Sequence, residues 1–514
     1  MKYNSYKKSL LVPALAAAIL MGGCAKIDDF GNTNENPNGI TQPITSALLT
    51  NVESQIGGFA ANTRKVTYAQ YVSESQYTDV SLYSLPQVEM GGTYSGLLND
   101  LQVIINYNSD PKTAGTAAGS GSNANQIAIA KILKGYVFWI MTDNWGDIPY
   151  SQALLGASNL TPKFDKQEDI YFGVMNDIKS AVAGFDNAAS VSGDIVYPGA
   201  AGAAQWKKLG NTIRMLMAMR LTKKYPNAGD KAALQFADAY SNAAGYISTN
   251  ADNFKIAYPG GSFKNNWYAT YESRDDYAVS KTTFDILNGL GDGRQSAFGT
   301  SSIGFPYGLT RDLAVQFAGS VGNAHARVLA TSKRTESSPV VVINAASALL
   351  AKAEAIERGW ISGTTADAQA AYEAGITASY AEWGVSVPAG YFTGLADYNA
   401  GAGVSTNVGA GAAPYDNFRA ADNNVQDAKT TTKLQRIALQ RWIASYPNGH
   451  EGWAEWRRTG VPNLKKTRFA TGEMVRRYVY GVNDYSLLNA QVKAAVALLP
   501  GGADKQEAKT WWDQ

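Results

Sequence analysis

Cys24 is the only cysteine in this 514-residue chain. No disulfide can form within it, so packing and polar contacts alone must hold the fold. Hydrophobic residues make up 45% of the sequence, ample for a large core. The length allows two or three lobes, or one large domain of repeated helices. The position of the cysteine is as informative as its solitude. Lys2, Lys7 and Lys8 form a positive start with no acid before Cys24. Leu10 to Met21 is then an uncharged, mostly apolar run, followed by the small pair Gly22-Gly23. That run is well short of the roughly 20 helical residues that cross a bilayer core.

Such a leader reads as a cleaved signal rather than a retained anchor. It resembles a bacterial lipobox, with Met21 where Leu is commoner. On that reading residues 1–23 are removed and the Cys24 sulfur takes lipid. Several acyl chains would then hold firmly, at about 0.8 kcal/mol per buried CH2. The alternative is an ordinary secretory signal with an incidental cysteine. Residues 24–43 are rich in Asn, Gly and Pro and read as a tether. Residues 44–514 form the body. Asp28 and Asp29, just past the lipidation point, resemble a surface-export signal.

Removal of the leader takes three lysines, so Lys+Arg falls from 45 to 42 against 43 acids, and the formal charge moves from +2 to −1. A near-neutral chain has no electrostatic footprint for nucleic acid. The small cluster Lys465, Lys466 and Arg468 lacks interleaved aromatics and reads as a solvated patch. The 29 Tyr and 11 Trp outnumber the 16 Phe, which favours rings with a polar handle, suited to wet interfaces.

Helical periodicity dominates the body. Apolar residues line one face from Ile127 through Leu133, Tyr136, Val137, Ile140 and Met141. Ile170, Val174, Ile178 and Val182 recur every four residues, with Asp165 and Glu168 expected as a capping box in front. Trp206 to Leu221, Val341 to Ile356, Thr364 to Trp383 and Leu434 to Tyr446 also read as helices. Strand-like alternation is scarce. Long polar or Gly-rich connections are expected at 113–125, 186–203, 291–304 and 384–425, and loops of that length carry function or mobility. The fold class is mainly α, built of helix pairs with long irregular loops. No repeat at the period of about 34 residues is readable.

Catalytic and metal chemistries find little support. His450-Glu451 begins a zinc-protease pattern, but Ala454 stands where the second histidine would be. With two histidines and one cysteine, a transition-metal site is not expected. Asp143, Asn144 and Asp147 offer oxygens to a structural calcium, but their spacing fits a turn better than an EF-hand. Gly401 and Gly403 lack the third glycine of a dinucleotide loop, since Thr406 occupies it. Glu451 and Glu455 lie one helical turn apart, and Glu455 with Arg457 and Arg458 reads as an ion-pair network. No cofactor is expected. What remains is aromatic and amide content in two loops. One holds Tyr77 and Tyr83, the other Asn265, Asn266, Trp267, Tyr268 and Tyr271. Aromatic faces and amides together are the chemistry of sugar recognition, so these seven are the ligand-binding candidates. The competing reading is that the rings pin the loops to the body.

Several short motifs occur in order along the chain. They are Asn34-Glu35-Asn36-Pro37-Asn38, Asp143 to Tyr150 (DNWGDIPY), Trp206 to Arg220, Asp292-Gly293-Arg294, Ala351 to Ala355, Trp453 to Pro462 (WAEWRRTGVP) and Arg476 to Asn489. In this order behind a lipobox they resemble the SusD/RagB outer-membrane lipoproteins of Bacteroidetes, with Gly293 departing from a usual proline. The resemblance implies a bundle of tetratricopeptide-like helix pairs and a non-catalytic role. It also implies a SusC-type TonB-dependent transporter as partner, attachment to the outer membrane through Cys24, and an oligosaccharide as cargo. A peptide or other nutrient is the alternative cargo, and a lipid-anchored hydrolase the alternative class.

Overall fold

The computed structural model describes residues 42–85, 87–186, 191–393, 432–467 and 469–514. The expectations for Cys24, the leader, the tether with Asp28 and Asp29, Arg468 and the Gly401 loop therefore lie outside the described residues. Residues 44–514 form one compact unit.

Its longer helices are α1 (Thr45–Ala60), α2 (Thr63–Tyr68), α3 (Asn99–Ser109), α4 (Asn123–Trp145), α5 (Gln167–Gly184), α6 (Gly202–Arg220) and α7 (Lys231–Tyr240). After the short α8 (Asn266–Thr270) come α9 (Lys281–Gly289), α10 (Arg311–Ser320), α11 (Ala345–Glu357), α12 (Thr365–Trp383), α13 (Lys433–Ala444) and α14 (Gly449–Thr459). Successive helices pack as pairs: α4 on α5, α6 on α7, α11 on α12, α13 on α14. This is the helical, tetratricopeptide-like architecture expected from the sequence. Close approach is built in by small residues. A Cβ on Gly210 of α6 would lie 2.6 Å from Val182 of α5. One on Gly449, the first residue of α14, would lie 2.1 Å from the backbone nitrogen of Val66 in α2. One large core results, running through Trp139, Trp206, Trp442, Trp453 and Trp512, all essentially buried.

Among the described residues strands occur only as short pairs. Antiparallel β1 (Val72–Glu74) and β6 (Tyr277–Val279) match Val72 with Val279 and Glu74 with Tyr277. β2 (Gln87–Val88) pairs in parallel with β8 (Val479–Tyr480). β3 (Ile148–Pro149) pairs with β4 (Phe164–Asp165), and β5 (Phe254–Ile256) with β7 (Val340–Ile343).

Two local expectations are corrected. Asp165 does not cap α5. It sits in β4, where its carboxylate accepts from the Tyr150 and Ser151 amides at 3.1 and 2.7 Å. The first amide of α5, Gln167 N–H, instead donates to Asp147 Oδ1 at 2.8 Å, a long-range cap invisible to local pattern. The run from Val341 is not one helix. β7 occupies its start and Asn344 begins α11, its side chain accepting from Ser347 N–H at 2.9 Å. Three consecutive β-branched residues favour the strand, and Asn ends it.

Candidate functional site

The charged motif residues close on one another in the core. Arg458 donates to Glu354 at 2.6 and 2.7 Å and to Glu455 at 2.6 and 3.1 Å. Arg441 and Arg358 complete the surround of Glu354 at 3.3 and 2.8 Å. These arginines hold the Glu354 carboxyl well below its usual range against the opposing effect of burial. Arg220 donates to both oxygens of Glu451 at 3.1 and 2.9 Å. Asp292 and Arg294 form a buried bidentate pair that also receives Tyr380 and Tyr391 hydroxyls. The expected network around Glu455 thus exists, except that Arg457 donates to the backbone carbonyls of Asp143 and Arg476 and lies over the Trp453 ring. Asp143 accepts from the Tyr171 hydroxyl of α5, and Asp147 caps the same helix, so both carboxylates are committed to α5. Among the described residues, no group of three or more His, Cys, Asp or Glu side chains is arranged to hold a metal.

The two loops singled out for ligand chemistry are brought together. Pairing of β1 with β6 seats the Tyr77 loop against residues 274–276, with Ser75 N–H bonded to the Asp276 carbonyl at 2.8 Å. Tyr77 remains 54% exposed. The guanidinium carbons of Arg274 and Arg311 lie 4.8 and 5.5 Å from its ring centroid. Arg274 is steered by Asp276 at 2.6 Å, and Arg311 is the first residue of α10. A rigid ring with two planar donor forks makes a platform for hydroxyl-bearing ligands.

The remaining candidates divide. Tyr83 is corrected: it is 2% exposed, packs against Tyr68 and Tyr307, and accepts from Gln70 at 3.2 Å. Burial pushes its hydroxyl up to about 12, so it props the loop from below and offers no face to solvent. Asn265 is also occupied. Its oxygen caps α8 through the Trp267 and Tyr268 amides at 2.8 and 3.0 Å, and its amide donates to the Ser338 carbonyl at 2.9 Å. Asn266 accepts from the Tyr258 hydroxyl at 2.7 Å. Tyr268 lies under Lys264, and Tyr271 under Arg334, its hydroxyl bonded to the Tyr277 carbonyl at 2.8 Å.

Trp267 is buried, yet it lines a cavity of about 300 Å³. The cavity lies between the end of α1, β7, the last turn of α12 and the α13–α14 junction. Trp383, Glu382 and Lys333 line it too, and none of these three was picked out from the sequence. The indole N–H groups of Trp267 and Trp383 have no hydrogen-bond partner among the described residues. A buried unpaired donor costs about 1–3 kcal/mol. Glu382 receives a long contact from Asn253 at 3.4 Å and is also reached by the Asn344 amide, while burial pushes its carboxyl up to about 7. One signal for Glu382 was available in the sequence: a carboxylate in the last turn of a helix opposes the macrodipole.

This fold is a large, mainly α-helical scaffold of packed helix pairs. The chain matches, over residues 37–481, a SusD-like family described as "Starch-binding associating with outer membrane", and it belongs to that family. No curated protein sequence matches it. Among solved structures it is similar to a chitin-binding SusD homolog from Flavobacterium johnsoniae, at 24% identity and TM-score 0.69, covering 91% of this chain and 98% of that one. A SusD homolog from Bacteroides uniformis gives 24% identity and TM-score 0.72, over 91% and 99% of the two chains. One from Bacteroides fragilis gives 21% and 0.70, over 92% and 100%. At these identities the likeness establishes the fold. No helix among the described residues is long and apolar enough to cross a membrane.

Proposed function

We propose that this chain is a cell-surface nutrient-binding subunit, lipid-anchored through Cys24, that captures oligosaccharide and passes it to a SusC-type TonB-dependent transporter of the outer membrane. The observation that carries the capture step is the exposed Tyr77 ring with the Arg274 and Arg311 guanidinium groups beside it. Sugar C–H faces stack on such a ring, and adjacent hydroxyls accept from the guanidinium forks. The family membership supports the outer-membrane setting. The carboxylates that could have served a hydrolase, Glu451 and Glu455, are each tied to arginine, which favours binding over catalysis.

Affinity electrophoresis in gels cast with starch, chitin-derived and other glycans tests the reading. At least one glycan retards the wild type, and Tyr77→Ala and Arg311→Ala each abolish most of the retardation. Failure of every glycan to retard the protein overturns the cargo assignment.

A further inference from the structure

The cavity at Trp267 is a second feature, and its chemistry differs from that of the Tyr77 platform. Most of its polar lining is already satisfied. Asn265 caps α8, and Asn344 donates to the Ala444 carbonyl and accepts from Ser347. Asn448 donates to the Val342 carbonyl, and Glu451 is paired with Arg220. Among the described residues the indole N–H groups of Trp267 and Trp383 have no partner, and the half-buried Glu382 carboxylate, touched by the Asn253 and Asn344 amides, and the Lys333 ammonium line the same cavity. Lys333 makes no ion pair among the described residues, so the carboxylate and the ammonium line one cavity without meeting. The cations whose fields reach Glu382 are Arg294, committed to Asp292, and Lys255.

The cavity therefore presents one carboxylate and three donors beside an apolar wall of Leu329, Val340, Val342 and Tyr446, and the two indole donors are unmet. Opposite charges held apart in a poorly solvated space are compensated best by a ligand carrying both signs. An ammonium would meet Glu382, and a carboxylate would accept from Lys333 and the indoles. An apolar side chain would pack on the valine and leucine wall. The volume is at the lower end of the roughly 300–1,000 Å³ of ligand pockets, which suits one small molecule rather than a chain. We infer that this cavity is a binding site for a free apolar α-amino acid, separate from the platform that holds the glycan.

Isothermal titration of the folded protein with L-leucine, L-phenylalanine, N-acetyl-L-leucine, isoamylamine and glucose tests this. At least one free amino acid binds, and both removal of its carboxylate and acetylation of its amine weaken binding more than about tenfold, the scale of one charged hydrogen bond. Glu382→Gln and Lys333→Met each weaken it similarly, whereas Tyr77→Ala leaves it unchanged. The inference is overturned if no amino acid binds, if the acetylated or decarboxylated analogue binds equally well, or if glucose is the ligand lost on Glu382→Gln. Should Glu382→Gln fail to fold, the ligand analogues and Lys333→Met decide alone. Glycan retardation in gels is read separately, so either site can fail without the other.

Discussion

Glu354, buried, and Glu382, half-buried, are carboxylates in neighbouring helices, α11 and α12, and they behave in opposite ways. Glu354 is enclosed by Arg458, Arg441 and Arg358, and its proton affinity is driven down. Glu382 has only the neutral Asn253 and Asn344 amides beside it, and burial drives its proton affinity up, to about 7. A charge closed on its partners holds helices together. A charge left open in a cavity costs stability and is retained where something else is to meet it. The motif stretch WAEWRRTGVP belongs to the first kind, and the wall around Trp267 and Trp383 to the second.

The largest way to break the comparison is Glu354→Gln. It leaves Arg458 and Arg441 facing a neutral amide in the core, and removing one partner of a buried ion pair costs about 3–5 kcal/mol. Urea unfolding should show that loss. A cost below about 1 kcal/mol would mean the network is slack.

The pH dependence separates the two carboxyls by sign. Glu354, with its depressed value, contributes stability above its unfolded pKa that is lost as pH falls through the folded one. Glu382 binds its proton more tightly folded than unfolded, so its contribution is largest at low pH and declines as pH rises from about 4.5 to about 7. At about 1.4 kcal/mol per unit that is at most about 3.5 kcal/mol. Glu382→Gln should therefore flatten the wild-type stability slope across that window and raise stability at pH 8. Parallel slopes would remove Glu382 from the account.

Gly449→Ala sharpens the structural side. The added methyl would meet the Val66 backbone, which cannot rotate away as a side chain could, and overpacking costs about 1–3 kcal/mol. It should lower the melting temperature without touching any ligand. The smallest stability effect is expected at the platform. Tyr77→Ala removes a half-exposed ring and should change unfolding free energy by less than about 0.5 kcal/mol while abolishing glycan retention. A large loss of stability there would make Tyr77 a loop prop like Tyr83.

Much of this was readable in the sequence. Helix stripes such as Ile170-Val174-Ile178-Val182 are local, and local periodicity survives folding. For the loop aromatics composition says less, because exposed, cavity-lining and buried rings such as Tyr77, Trp267 and Tyr83 share one composition. That same ambiguity explains Tyr83, whose burial depends on Tyr68 and Tyr307. Asp147 as the cap of α5 was invisible because it comes from 20 residues away. Glu382, Trp383 and Lys333 were missed for the same reason: they become a site only when α12 ends beside β7 and α8.

The distinction between closed and open charges is tested most directly by melting and titrating Glu354→Gln and Glu382→Gln side by side. The account predicts that Glu354→Gln melts well below wild type, and that Glu382→Gln melts at or above wild type at pH 8 yet no longer binds the free amino acid. A Glu382→Gln variant that melts as early as Glu354→Gln, with amino-acid binding intact in whatever folds, would contradict it.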